Sequence, residues 1–109
     1  MTVQTLTETL GFTPILLPDG GREVTGGYAG DLLSWVMGRA TEGDCWVTIM
    51  SNLNVAAVAQ LIDVACIVFS EGVTPDAALV DAAKVHGINL LSAKEDTFTV
   101  CAKVAALLA

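Results

Sequence analysis

Cationic side chains are scarce in this chain: five lysines and arginines stand against twelve acids, and the formal net charge at pH 7 is −7. The five are also scattered, at Arg22, Arg39, Lys84, Lys94 and Lys103. Phosphate backbones are held by local clusters of such residues, so nucleic acid is not an expected partner. Histidine occurs once, and the three cysteines, Cys45, Cys66 and Cys101, lie far apart in sequence with no Cys-x-x-Cys pair. A zinc or other transition-metal centre has little to build on, so no metal and no cofactor is expected, and the cysteines are expected as buried free thiols. His86 stands just before Gly87, where the end of a helix suits a partial positive charge; that accounts for it without catalysis.

An unbroken apolar run is missing too. The longest such region, 55–69, is interrupted by Gln60 and Asp63, short of the roughly 20 residues a membrane span needs. The opening Met1-Thr2-Val3-Gln4 lacks the basic start and apolar core of a signal peptide. The expected location is therefore the cytoplasm, away from the membrane. What the chain has in excess is apolar character: 53% of its 109 residues and a mean hydropathy of +0.63. A single small domain leaves much of its surface in water, so the excess implies a buried subunit interface and a homodimer.

The pattern along the chain predicts a first helix over 2–10, stopped by Gly11, and a strand over 12–17 with Pro14 marking it as an edge. Pro18-Asp19-Gly20-Gly21 is a turn signal. From residue 45 strands and helices alternate: strand 45–51, helix 54–63, strand 64–70, helix 75–86, strand 88–92, helix 95–108. Alternation of this kind argues for βαβ units, and the strands are apolar on both sides, as a sheet covered on both faces requires. The expected fold is one α/β domain over residues 1–109, a three-layer α/β/α sandwich with a mostly parallel sheet of four to five strands.

Between the two halves lies a glycine-rich stretch, Val24-Thr25-Gly26-Gly27-Tyr28-Ala29-Gly30-Asp31. Gly26 and Gly27 are read as an elbow with positive φ or close backbone approach, and Asp31 as the cap of a helix over 31–40. In that helix Leu32, Trp35, Val36 and Arg39 share one face, while Leu33, Met37 and Ala40 occupy another. Two apolar faces imply two contacts, which makes Trp35 and Met37 the expected interface residues. Glycines at 21 and 26 are spaced as in a phosphate-binding loop, but Gly27 stands where the lysine would be, which excludes nucleotide hydrolysis of that type.

Candidate chemistry gathers at the strand ends. Ligands of open α/β sheets favour the crevice beyond the carboxyl ends of the strands, where helix N-termini offer free N–H groups. Ser51, Asn52, Asn54, Ser70, Ser92 and Lys94 fall there and would form a polar rim for a small anion or a nucleotide phosphate. The competing account is that serine and asparagine are common loop and capping residues at such places, and Glu71, Glu95 and Asp96 would oppose an anion. The carboxylate pairs fall in predicted loops or first turns, and neither Cys45 nor Cys101 has an activating base beside it. No catalytic residue is expected.

Glu23-Val24-Thr25-Gly26-Gly27 resembles the signature of the DRTGG domain: Thr25, Gly26 and Gly27 match, while its two opening charged positions are Glu23 and Val24 here. Further along, Asp31-Leu32-Leu33-Ser34, then Glu42-Gly43-Asp44 before a strand and Asn54-Val55 opening a helix, resemble small stand-alone DRTGG proteins. The resemblance implies the fold of the N-terminal domain of HPr kinases and of the DRTGG domain found between CBS domains in certain pyrophosphatases. The role it implies is regulatory, a non-enzymatic module that binds a small molecule or a protein partner. The alternative it leaves is a structural subunit docking into a larger assembly, with hydrogenase and redox systems as the settings of some relatives.

Overall fold

The computed structural model describes all of residues 1–109. Ten elements follow one another: α1 (Val3–Leu10), β1 (Thr13–Leu16), β2 (Gly26–Ala29), α2 (Leu33–Arg39), β3 (Asp44–Thr48), α3 (Asn54–Ile62), β4 (Cys66–Phe69), α4 (Ala77–His86), β5 (Leu90–Ser92) and α5 (Thr97–Leu108). The five strands make one sheet in the order β1-β5-β4-β3-β2. Only β1 runs antiparallel, against β5; the other pairs are parallel. This is the expected three-layer sandwich.

The central strands β3 and β4 are buried along their whole length, consistent with their largely apolar sequences, Asp44 and Thr48 of β3 being held by hydrogen bonds. Each face of the sheet closes its own core. Val3, Leu6, Val47, Val68, Val100 and Val104 pack beneath α1 and α5. Val36, Trp46, Val55, Phe69, Leu79 and Leu90 pack beneath α2, α3 and α4. Helix ends behave largely as the sequence suggests: Gly11 and Gly87 stop α1 and α4, and Thr2 caps α1 by accepting a hydrogen bond from the Thr5 amide at 3.1 Å. Asp76, expected inside α4 after Pro75, takes the N-cap position instead, with no capping bond from its side chain. Pro14 lies on an edge strand, where its missing N–H costs no ladder bond.

The glycine stretch is where the structure departs from expectation. Gly26 to Ala29 form an edge strand, pairing Gly26 with Asp44, Gly27 with Cys45, Tyr28 with Trp46 and Ala29 with Val47. Neither Gly26 nor Gly27 has a positive φ, so the elbow reading is corrected. Gly26 is needed for space: a Cβ there would stand 2.8 Å from Asp44 Oδ1. Asp31 is no helix cap either. Its Oδ1 accepts from the Thr48 hydroxyl and the Ile49 amide, both at 2.9 Å, and Leu32 occupies the N-cap position of α2 with no side-chain bond. That bond to Ile49, with the Met50 amide turned onto Thr48 Oγ1 at 3.2 Å, leads the chain out of β3 at Thr48 rather than at the expected 51.

Candidate functional site

The rim residues do lie at the carboxyl end of the parallel strands, on three successive loops. Ser51, Asn52 and Asn54 follow β3 into α3, Ser70 follows β4, Ser92 ends β5 and Lys94 comes after it. Their side chains have different tasks. Asn52 Oδ1 accepts from the Asn54 amide at 2.9 Å, and the Ser51 carbonyl accepts from the Asp76 amide at 2.9 Å, which ties the α3 loop to the start of α4. Ser70 is fully buried, its hydroxyl 2.7 Å from that of Thr97. Ser92 is half-buried beside Thr13 of the edge strand. Lys94 is exposed and in no ion pair.

Helix N-termini around this rim differ in what already occupies them. At α5 the Thr97 amide donates to Glu71 Oε2 at 2.8 Å and the Thr99 amide to Asp96 Oδ1 at 2.7 Å. The bond from Thr99 holds the Asp96 carboxyl below its ordinary value, and that of Glu95 is lowered by its ion pair with Lys103. The chain thus supplies its own anions at α5. At α3 the first amides are likewise bonded, that of Asn54 to the Asn52 side chain and those of Val55 and Ala56 to the Asn52 and Leu53 carbonyls, both at 3.1 Å, whereas at α4 no side chain caps the first turn.

Two hollows lie away from the rim. One, about 330 Å³, is a shallow depression beside α1, touching Gln4, Glu8 and Pro14. The other, about 220 Å³, opens between β2 and α5 and is walled by Gly27, Ala29, Cys45, Cys101, Val104 and Leu108, among others. No carboxylate, lysine, arginine or histidine lines it.

All three thiols gather near this second hollow, a grouping hidden by their spacing in sequence. Cys45 and Cys66 are register partners across β3 and β4, and Cys101 projects from α5 into the same hollow as Cys45. All three are free. Hydrogen bonding to the Cys66 thiol, with burial, pushes the Cys45 thiol well above its ordinary value. Burial also raises that of Cys101. Both therefore stay protonated at neutral pH and are poor nucleophiles.

The second helix leaves Trp35 and Met37 exposed, but the expected division into a Leu32, Trp35, Val36 and Arg39 face and a Leu33, Met37 and Ala40 face is corrected, since the sheet takes one residue or more from each. Val36 is fully buried, with Leu33 and Ala40 packed toward the same core. Leu32, Trp35 and Met37 stand outside, each about half exposed, and the Arg39 guanidinium lies 3.9 Å over the Trp35 ring. Tyr28, from the edge strand, packs against the core beneath α2.

No protein-family model matches the sequence, and no curated protein does. In three dimensions the chain is similar to the CBS and DRTGG domains of the regulatory region of a Clostridium perfringens pyrophosphatase, solved in complex with the activator diadenosine tetraphosphate. The TM-score is 0.71 at 15% sequence identity, over 94% of this chain and 45% of the other. The chain therefore spans less than half of that regulatory region. The likeness is one of fold, and it agrees with the DRTGG resemblance read from Thr25, Gly26 and Gly27.

Proposed function

We propose that this protein is a non-catalytic regulatory module that forms a cytoplasmic homodimer and senses a small anionic metabolite or nucleotide at the carboxyl edge of its sheet. The observation that carries the reading is the fold shared with a regulatory region crystallised with a nucleotide activator. The local chemistry supports it: α4 begins without a side-chain cap, its loop tied to Ser51, and Lys94 is unpaired. Amide donors and one free cation suit a phosphate better than any neutral group. Ser70 is committed to Thr97, so it shapes the loop and leaves the ligand to Ser51, Asn52, Asn54, Ser92 and Lys94.

Thermal unfolding with diadenosine tetraphosphate, ATP, AMP and simple phosphorylated sugars tests the ligand. A ligand at a hundred times its Kd stabilises the folded state by about 2.7 kcal/mol, a rise in Tm of several degrees for a domain this size. Lys94→Ala should shrink that rise while leaving the unliganded Tm unchanged. Uniformly null shifts would sink the sensing claim.

A second reading, a structural subunit docking into a larger assembly, is favoured by the uncovered outer face of α2, where Leu32, Trp35 and Met37 meet solvent. It predicts a monomer by light scattering at every concentration, with no ligand response.

A further inference from the structure

The two edges of the sheet are built differently. At one, β1 carries Pro14 and a break in register between Pro14 and Leu16, both of which discourage another strand from adding on. At the other, β2 reads Gly26-Gly27-Tyr28-Ala29, with no proline, no charge and no bulge. Its free groups can be placed from one bond. The Gly30 amide donates to the Val47 carbonyl at 3.1 Å, and a strand's N–H and C=O alternate sides with a period of two, so those of Gly27 and Ala29 point away from β3. These outward residues are both exposed and carry the two smallest side chains. Gly27 is not demanded by the fold: its φ is not positive, and a Cβ would meet only ordinary contacts, Cys45 O at 3.6 Å and Val104 Cγ1 at 3.9 Å. Glycine in a strand is destabilising relative to alanine, yet here it keeps the edge bare.

We propose that β2 is the dimer seam, pairing antiparallel with β2 of a second copy of this chain about a twofold axis at Tyr28. This rests on the homodimer reading above and names its surface. In that register Gly27 of one copy exchanges two hydrogen bonds with Ala29 of the other, and Ala29 exchanges two with the other's Gly27, so all four outward groups are satisfied. Tyr28 faces its twin across the axis, a cross-strand aromatic pair of the kind that stabilises antiparallel strands. The interface is isologous, as a closed dimer requires. The occupant is a second copy rather than a lone foreign strand on grounds of area. Four residues of backbone fall far short of the roughly 800 Å² per partner typical of a stable interface. A whole second copy also brings up the half-exposed Leu32 and Trp35, just beyond β2 on one face, and the apolar hollow beside α5 on the other.

Sedimentation and amide exchange on the intact chain test this together. The wild type should sediment as a dimer, its Gly27 and Ala29 amides protected at least a hundredfold more in the dimer than after dilution to monomer. Ala29→Lys, which places a charge on the exposed edge, should raise the dimer Kd at least tenfold without changing the far-ultraviolet circular dichroism. If that variant does not fold, wild-type exchange alone decides. A wild-type dimer whose Gly27 and Ala29 amides exchange freely, and which Trp35→Ala disperses, overturns the β2 seam and leaves the homodimer intact. A wild type that stays monomeric at every concentration overturns both.

Discussion

Adjacent residues of the same type can be held by different forces, and the pair Gly26 and Gly27 shows how. Both match the DRTGG signature, and in sequence they are interchangeable. In the fold, a side chain at 26 would collide with the Asp44 carboxylate, which is itself fixed by the Thr41 amide at 2.8 Å and the Thr41 hydroxyl at 3.2 Å. Gly26→Ala must push that buried carboxylate off its partners, and the expected loss is about 1–3 kcal/mol by urea unfolding. Gly27→Ala meets no such obstacle and has a compatible φ, so the same measurement should show a monomer unchanged or stabilised by up to about 1 kcal/mol. Equal losses at both positions would mean that the Asp44 contact is not what selects glycine at 26.

For elements, the instructive cases are the places where a carboxylate ends a strand or starts a helix. Asp31 was expected to start α2, yet it terminates β3 through Thr48 and Ile49. Asp31→Ala should cost about 1–2 kcal/mol. Its faster amide exchange should appear at Ile49, with the first turn of α2 little affected; the reverse pattern would restore the capping role. At α5 the dependence is on pH. The carboxyls of Glu95 and Asp96 titrate below their ordinary values of 4.5 and 3.8. A group whose folded pKa is depressed stabilises the fold above its unfolded pKa, and that support fades as pH falls through the folded value. Acidification from about pH 5 toward pH 2 should therefore loosen the first turn of α5, seen as faster exchange of the Thr99 amide beyond the intrinsic pH effect. Asp96→Asn should flatten that response.

Across the whole molecule, the turn after β1 is fastened to the parallel sheet through one buried side chain. Asn89, just before β5, donates to the Asp19 carbonyl at 2.8 Å and the Ala65 carbonyl at 2.9 Å, and accepts from the Asp19 amide at 3.0 Å. These bonds tie the turn after β1 to the central strands, and no buried side-chain polar atom is left unpaired. Asn89→Ala would take the partner from the Asp19 amide and the Ala65 carbonyl, while the Asp19 carbonyl keeps the Arg22 amide at 3.1 Å, for an expected cost of about 2–4 kcal/mol in urea unfolding. A loss below about 1 kcal/mol would show that water replaces the amide freely.

The sequence by itself determined the layered architecture, because it rests on local signals that repeat. Apolar strands alternate with helices from residue 45 onward, Gly11 and Gly87 stop helices, and Pro14 confines its strand to an edge. It also put Ser51, Ser70 and Ser92 at the ends of parallel strands, although only three-dimensional contacts show that the Ser70 hydroxyl is used up by Thr97. What tertiary structure alone decided is pairing between distant positions. Gly26 to Ala29 has little intrinsic preference for a strand, and becomes one because β3 offers a free edge in register with it. Asp31 is drawn away from its own helix by Thr48, and Cys45, Cys66 and Cys101 meet because strand register and the path of α5 bring them together. Local propensity is a property of a few neighbouring residues, whereas edges, hollows and shared cores arise only once the sheet has formed.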